Sequence, residues 1–164
     1  MMARRWSPTL WFVIAATLVF ALGAWLRMDQ LGSQTLIDDE WHAVHQLVRS
    51  SPGQFMLSLG HADYSIPLTL YFWFVAQTVG LTELAMRLPS LLAGLATLLV
   101  LPWALRGRLD ARVLLVFGLC LAVSPLLAGY ARMARPYALT LLLSFVALAW
   151  LDLATRGDRL RVWP

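Results

Sequence analysis

Four apolar runs, each nearly long enough to match the thickness of a bilayer, leave this chain little choice of fold. They cover residues 10–26, 89–105, 113–128 and 137–154. At a rise of about 1.5 Å per residue, seventeen helical residues reach about 25 Å, close to a hydrocarbon core of roughly 30 Å once flanks are added. The rest of the composition agrees. Of 164 residues 60% are hydrophobic and only 13% charged, and the mean hydropathy is +0.68, a balance foreign to a soluble domain of this size. The expected fold class is therefore an all-α integral membrane protein.

Arginine placement sets the expected topology. All 13 basic residues are Arg and they cluster between the apolar runs, a pattern of topology determinants before one of nucleic-acid contact. Arg4 and Arg5 precede the first run, and Leu22 and Ala24 make a poor small-x-small cleavage site. The first run thus reads as an uncleaved anchor with a cytoplasmic amino terminus, the alternative being a cleaved signal peptide.

The segment 66–80 is apolar and aromatic but holds only fifteen residues, about 22 Å as a helix. If it does not cross, eight arginines (4, 5, 106, 108, 112, 156, 159, 161) share the cytoplasmic side against five (27, 49, 87, 132, 135) outside. If it crosses, the counts invert, against the positive-inside rule. Four transmembrane helices are expected, with five as the alternative. Residues 27–87 then form one large external loop with interfacial helices. Cys120 is the only cysteine, so no intramolecular disulfide can form.

That loop gathers the unusual chemistry. Arg27 to Tyr64 holds five of the nine acidic residues and all three histidines. Asp38, Asp39 and Glu40 are consecutive, and Trp41, Val44, Leu47 and Val48 follow at helical spacing until Ser50-Ser51-Pro52-Gly53 ends the pattern. Asp38 or Asp39 is expected to cap this short amphipathic helix, which would lie along the membrane surface. Capping needs one carboxylate and the chain supplies three. His42 and His45, at i and i+3 beside Glu40, have the spacing of a metal pair, although on an interfacial helix such residues more often face water.

The four-span topology puts the acids, His61, Arg87 and the Tyr130–Tyr137 turn on one outer face. A carboxylate there can take a proton from an acceptor hydroxyl while an arginine neutralises a departing phosphate. Arginines at span ends also reach lipid phosphates by default, so Arg87, Arg132 and Arg135 have a purely anchoring reading as well.

In their order and spacing, four motifs resemble a family. An Asp39-Glu40 pair follows the first span. Next come His61, Pro67-Leu68 and Tyr71, then Gly80, Glu83 and Arg87-Leu88-Pro89-Ser90. Last are Ser124-Pro125 and Tyr130-Ala131-Arg132-Met133-Ala134-Arg135-Pro136-Tyr137-Ala138-Leu139. Together they resemble the polytopic GT-C glycosyltransferases, in particular bacterial relatives of the protein O-mannosyltransferases, glycosyltransferase family 39. The resemblance implies an inverting enzyme of the bacterial inner membrane. It would move a sugar from a polyprenyl-phosphate donor to an acceptor protein, lipid or polysaccharide on the extracytoplasmic face.

The family's loop acid carries over to Asp39, with Asp38 and Glu40 as neighbours of unassigned share. Its loop arginine carries over to Arg87, as a ligand of the lipid phosphate or as an ion pair that holds the loop. His61, Arg132, Arg135 and Tyr137 are further substrate-binding candidates. Some members of the class use a divalent cation and others none, so no cofactor is assigned, and no nucleic-acid partner is implied. The family's His-Pro-Pro-Leu is loosened here to His61-Ala62-Asp63-Tyr64-Ser65-Ile66-Pro67-Leu68. Members run to roughly three times this length, so the chain resembles their amino-terminal portion. Two other classes stand beside this reading: a non-catalytic membrane scaffold or subunit, and a transporter fragment. The second is disfavoured because the span centres carry almost no charge.

Overall fold

The computed structural model describes residues 9–37, 40, 41, 44, 45, 47, 51, 53, 54 and 65–155. Among them every regular element is helical: α1 (Leu10–Met28), α2 (Ile66–Thr78), α3 (Glu83–Leu105), α4 (Ala111–Val123), α5 (Pro125–Ala131) and α6 (Tyr137–Thr155). Glu40, Trp41, Val44, His45 and Leu47 are helical as well. Two helices, α1 and α3, are long and apolar enough to cross a membrane. The pair α4 and α5 passes the same test as one span bent by 58°. Two or three crossing helices are consistent with a membrane protein.

Helices α1 and α4 pack on each other, α3 packs on α6, and the short α5 rests on α3. Small residues set these approaches. A Cβ at Gly23 would lie 2.7 Å from Leu98 Cδ1 and 3.0 Å from Ala122 Cβ, and one at Gly94 would lie 2.3 Å from Ala131 Cβ. Such closeness lets the backbones of α1, α3, α4 and α5 meet, the usual device where no hydrophobic effect drives helices together. Leu98, Leu101, Leu121 and Ala122 fill the resulting core.

Chain direction alternates between two ends. One end carries the 29–37 segment, the start of α3 and the 132–136 turn, and is called here the loop end. The other carries the 106–110 connector, where Arg108 pairs with Asp152 near the end of α6.

Proline placement explains where helix boundaries depart from the apolar runs. Helix α3 begins at Glu83, six residues before Pro89, and is capped by Thr82, whose Oγ accepts the Ala85 N–H at 3.2 Å. Pro89 cannot donate to the carbonyl four residues back, that of Ala85. The Tyr71 hydroxyl donates to it instead, at 2.8 Å. A helix therefore continues through a proline that the sequence marks as a start.

The third expected run, 113–128, is broken at Ser124, which is extended (φ −62°, ψ 116°) and caps α5 through Leu127 N–H. Pro125 begins a new helix there instead of kinking an old one. Pro125 leaves the Leu121 carbonyl without its usual donor, and the break frees the Ala122 carbonyl beside it. Arg27 Nη2 donates to the first at 3.0 Å and Nη1 to the second at 3.2 Å.

Helix α2 has only 13 residues, about 20 Å, too short to cross a core of roughly 30 Å upright. Its buried face presents Leu68 and Phe72 to Met86 of α3 and to Ala134, with Leu36, Val44 and Leu47 packed around them. Gly80, at φ +86°, turns the chain from α2 into α3. Thus α2 closes the loop end over the heads of α3 and α6.

Candidate functional site

Arg87 sits one turn into α3 and is 2% exposed; Glu40 is fully buried. The two form a fork: Nε donates to Oε1 at 3.0 Å and Nη2 to Oε2 at 2.9 Å. The remaining guanidinium hydrogens meet the carbonyls of Leu31 (3.1 Å), Gln34 (2.8 Å) and Thr35 (3.1 Å). Five donors thus face five acceptors, which is all that an arginine has. The carboxylate is equally occupied, since Oε1 also accepts Ala134 N–H at 2.6 Å and Oε2 accepts Ile37 N–H at 3.0 Å. One ion pair therefore ties the 31–37 segment, the head of α3 and the 132–136 turn together. Burial works to raise the Glu40 pKa, but the hydrogen bonds from Arg87 and the two amides, with the Arg87 charge, outweigh it and hold the carboxyl below its ordinary range.

Beside this knot lies an open groove of about 770 Å3. Ser33, Gln34 and Thr35 form one side with Ile37, and Glu40 and Arg87 form its closed wall. The α4–α5 break, through Val123 and Pro125, and Arg132 complete it. Arg132 is half-buried and donates to Leu26 and Asp29 carbonyls at 3.3 and 2.7 Å, capping the end of α1. Its Nε is buried and meets no acceptor among the described residues.

The residues singled out in the sequence divide three ways. Glu40 and Arg87 are brought into direct contact, as an ion pair that joins three segments. Arg132 lines the groove and caps the end of α1, and Arg135 is buried. The Arg135 guanidinium lies 5.5 Å from the Tyr137 ring centroid, its backbone carbonyl accepts the Ser90 hydroxyl, and the Tyr130 and Tyr137 rings meet at a 40° tilt with centroids 4.9 Å apart. These contacts shape the turn that supplies the Ala134 amide. Asp38, Asp39, His42 and His61 lie outside the described residues. His45 is exposed with its ring near Trp41, and the described residues contain no cluster of three metal-ligating side chains.

Arg27 has no distinct place in the sequence reading, where it is only one of the outer arginines. It is fully buried, and its third contact is to the Gly23 carbonyl at 2.9 Å. A signal for it existed in Ser124-Pro125, because a helix broken in an apolar setting leaves carbonyls that some donor must meet.

No protein-family model matches this chain, and neither the curated proteins nor the solved structures contain a match to it.

Proposed function

We propose that the chain is the loop-bearing part of a GT-C-type glycosyltransferase. It acts with its loop end on the extracytoplasmic side of a bacterial inner membrane and crosses that membrane four times. The observation that carries this reading is the groove at the loop end. Ile37 and Glu40, which bracket Asp38 and Asp39 in the sequence, both line it, and Arg132 lies on its rim. Asp39 is the proposed base. It takes the proton from an acceptor hydroxyl as the oxygen attacks the anomeric carbon, and the bond to the lipid phosphate breaks with inversion. The leaving polyprenyl phosphate carries the electron pair and needs a cation. Arg87 has no hydrogen left to offer it, which leaves Arg132, on the rim of the groove, as the better candidate.

The second reading, a membrane scaffold, draws on the same knot. Glu40 and Arg87, the most deeply buried polar residues at the groove, hold its segments together. Asp39→Asn separates the two. In membranes supplied with a radiolabelled polyprenyl-phosphate sugar, the transferase reading expects turnover to fall at least 100-fold, the scale on which a positioned base contributes, while membrane abundance and thermal midpoint hold. Unchanged transfer, or no transfer by the unmutated protein in its native membranes, would sink the catalytic reading and leave the scaffold.

A further inference from the structure

The apolar cavity at the opposite end of the bundle has no part in the proposed chemistry. It measures about 490 Å3 and lies between α1, α3 and α4. Phe12 and Phe20 of α1, Leu98 of α3 and Leu115 of α4 are among the side chains that line it. From Phe12 to Phe20 it follows α1 for eight residues, about 12 Å. Gly118 and Ala16 keep its walls thin, and Pro102 stands inside α3 beside it.

One charged residue lines this cavity, Arg106, just past the end of α3. Its guanidinium stacks over the exposed Trp103 ring, 4.2 Å from the centroid, and no carboxylate lies within ion-pair distance among the described residues. Its neighbour Arg108 differs, being paired with Asp152. Trp and Arg together at a helix end mark the level of lipid headgroups. An apolar slot with an arginine at its mouth fits a molecule with a hydrocarbon chain and an anionic head, and basic pockets between membrane helices take such lipids.

We propose that this cavity is a site for an anionic bilayer phospholipid, whose acyl chain enters the slot while Arg106 holds the phosphate. The stacking on Trp103 orients the guanidinium and leaves its in-plane hydrogens free to donate. A zwitterionic lipid offers the same chain and phosphate, but its own ammonium competes for that phosphate, so the site discriminates by net headgroup charge. This inference rests on the bundle crossing a bilayer and is independent of the transferase reading.

The test is native mass spectrometry of the full chain, delipidated in mild detergent and titrated with phosphatidylglycerol or phosphatidylcholine. The unmutated protein should hold one phosphatidylglycerol at least fivefold more tightly than phosphatidylcholine. Arg106→Gln should reduce that preference to within twofold. Arg112→Gln removes the same charge from the same end of the bundle but does not line the cavity, and it should leave the preference intact. Ala16→Phe, which fills the slot, should weaken both lipids. Equal binding of the two lipids by the unmutated protein, or equal effects of Arg106→Gln and Arg112→Gln, would overturn the site in favour of unspecific surface charge. Because Arg106 is exposed, its substitution leaves the fold in place and the comparison stands even if Ala16→Phe fails to fold.

Discussion

Arg87→Met is expected to be the most damaging single substitution in the described chain, lowering the thermal midpoint in detergent on the order of 10 °C. Removing one partner of a buried ion pair costs about 3–5 kcal/mol, because the other charge stays behind without compensation. A chain of this size loses about 2–4 °C for each kcal/mol. Arg87 carries more than the pair, since the Leu31, Gln34 and Thr35 carbonyls also depend on it. Glu40→Gln should therefore cost less than Arg87→Met: it strands the guanidinium charge but keeps those three carbonyl contacts. The double substitution, Glu40→Gln with Arg87→Met, tests this directly. If the pair is the main link, the double variant loses less than the sum of the two single losses, by an interaction energy of about 1–3 kcal/mol. Simple additivity would mean that the two residues act separately, and the knot would not be what holds the groove.

The same carboxylate gives a pH dependence whose sign follows from its lowered pKa. A group held below its unfolded value, roughly 4.3 for glutamate, contributes its full stability above that value and loses it as the pH falls through the folded pKa. The gap in thermal midpoint between the unmutated protein and Glu40→Gln should therefore be constant from neutral pH to about 5 and close on further acidification. A gap that widened in acid would show that Glu40 is protonated in the native state and that the fork to Arg87 is not an ion pair.

Much of the bundle could be read from apolar run length alone. Helices α1 and α6 end within two residues of the runs that predict them, because each run is bounded by groups that lipid rejects. The sequence misled where one residue's conformation depends on a distant donor. Pro89 looks like a helix start only if Tyr71 is ignored, and the two residues are not neighbours in sequence. Likewise the run 113–128 reads as one continuous helix until Arg27 is seen to stabilise a full break at Ser124. At the groove, a run of three carboxylates carries no mark that Glu40 turns inward. Glu40 is chosen by a partner 47 residues away and by an amide 94 residues away, neither of which a local pattern can reveal. The sequence could say that Glu40 and Arg87 share one end of the bundle. It could not say that one acid would be spent on holding that arginine.

Arg27→Met should lower the thermal midpoint and disturb the groove together, for one reason. The Leu121 and Ala122 carbonyls at the end of α4 would lose their donor, at about 1–3 kcal/mol for each group left unsatisfied. Against this stands the return of desolvation energy when a buried cation is removed, itself several kcal/mol. The carbonyls decide the balance because they cannot recover by themselves. Straightening the break would bring Leu126 N–H back toward Ala122, but Pro125 has no hydrogen for Leu121. A net loss of about 2 kcal/mol is therefore expected. Pro125→Ala in the same chain identifies the cause. By restoring an N–H at that position, it should recover a large part of the Arg27→Met loss while doing little or harm in the unmutated background, where Arg27 already serves Leu121. The α4–α5 break lines the groove through Val123 and Pro125. A rescued but straightened helix should therefore recover stability without recovering the transfer proposed for the groove, whereas rescue of both would show that the 58° bend is not needed to shape the site.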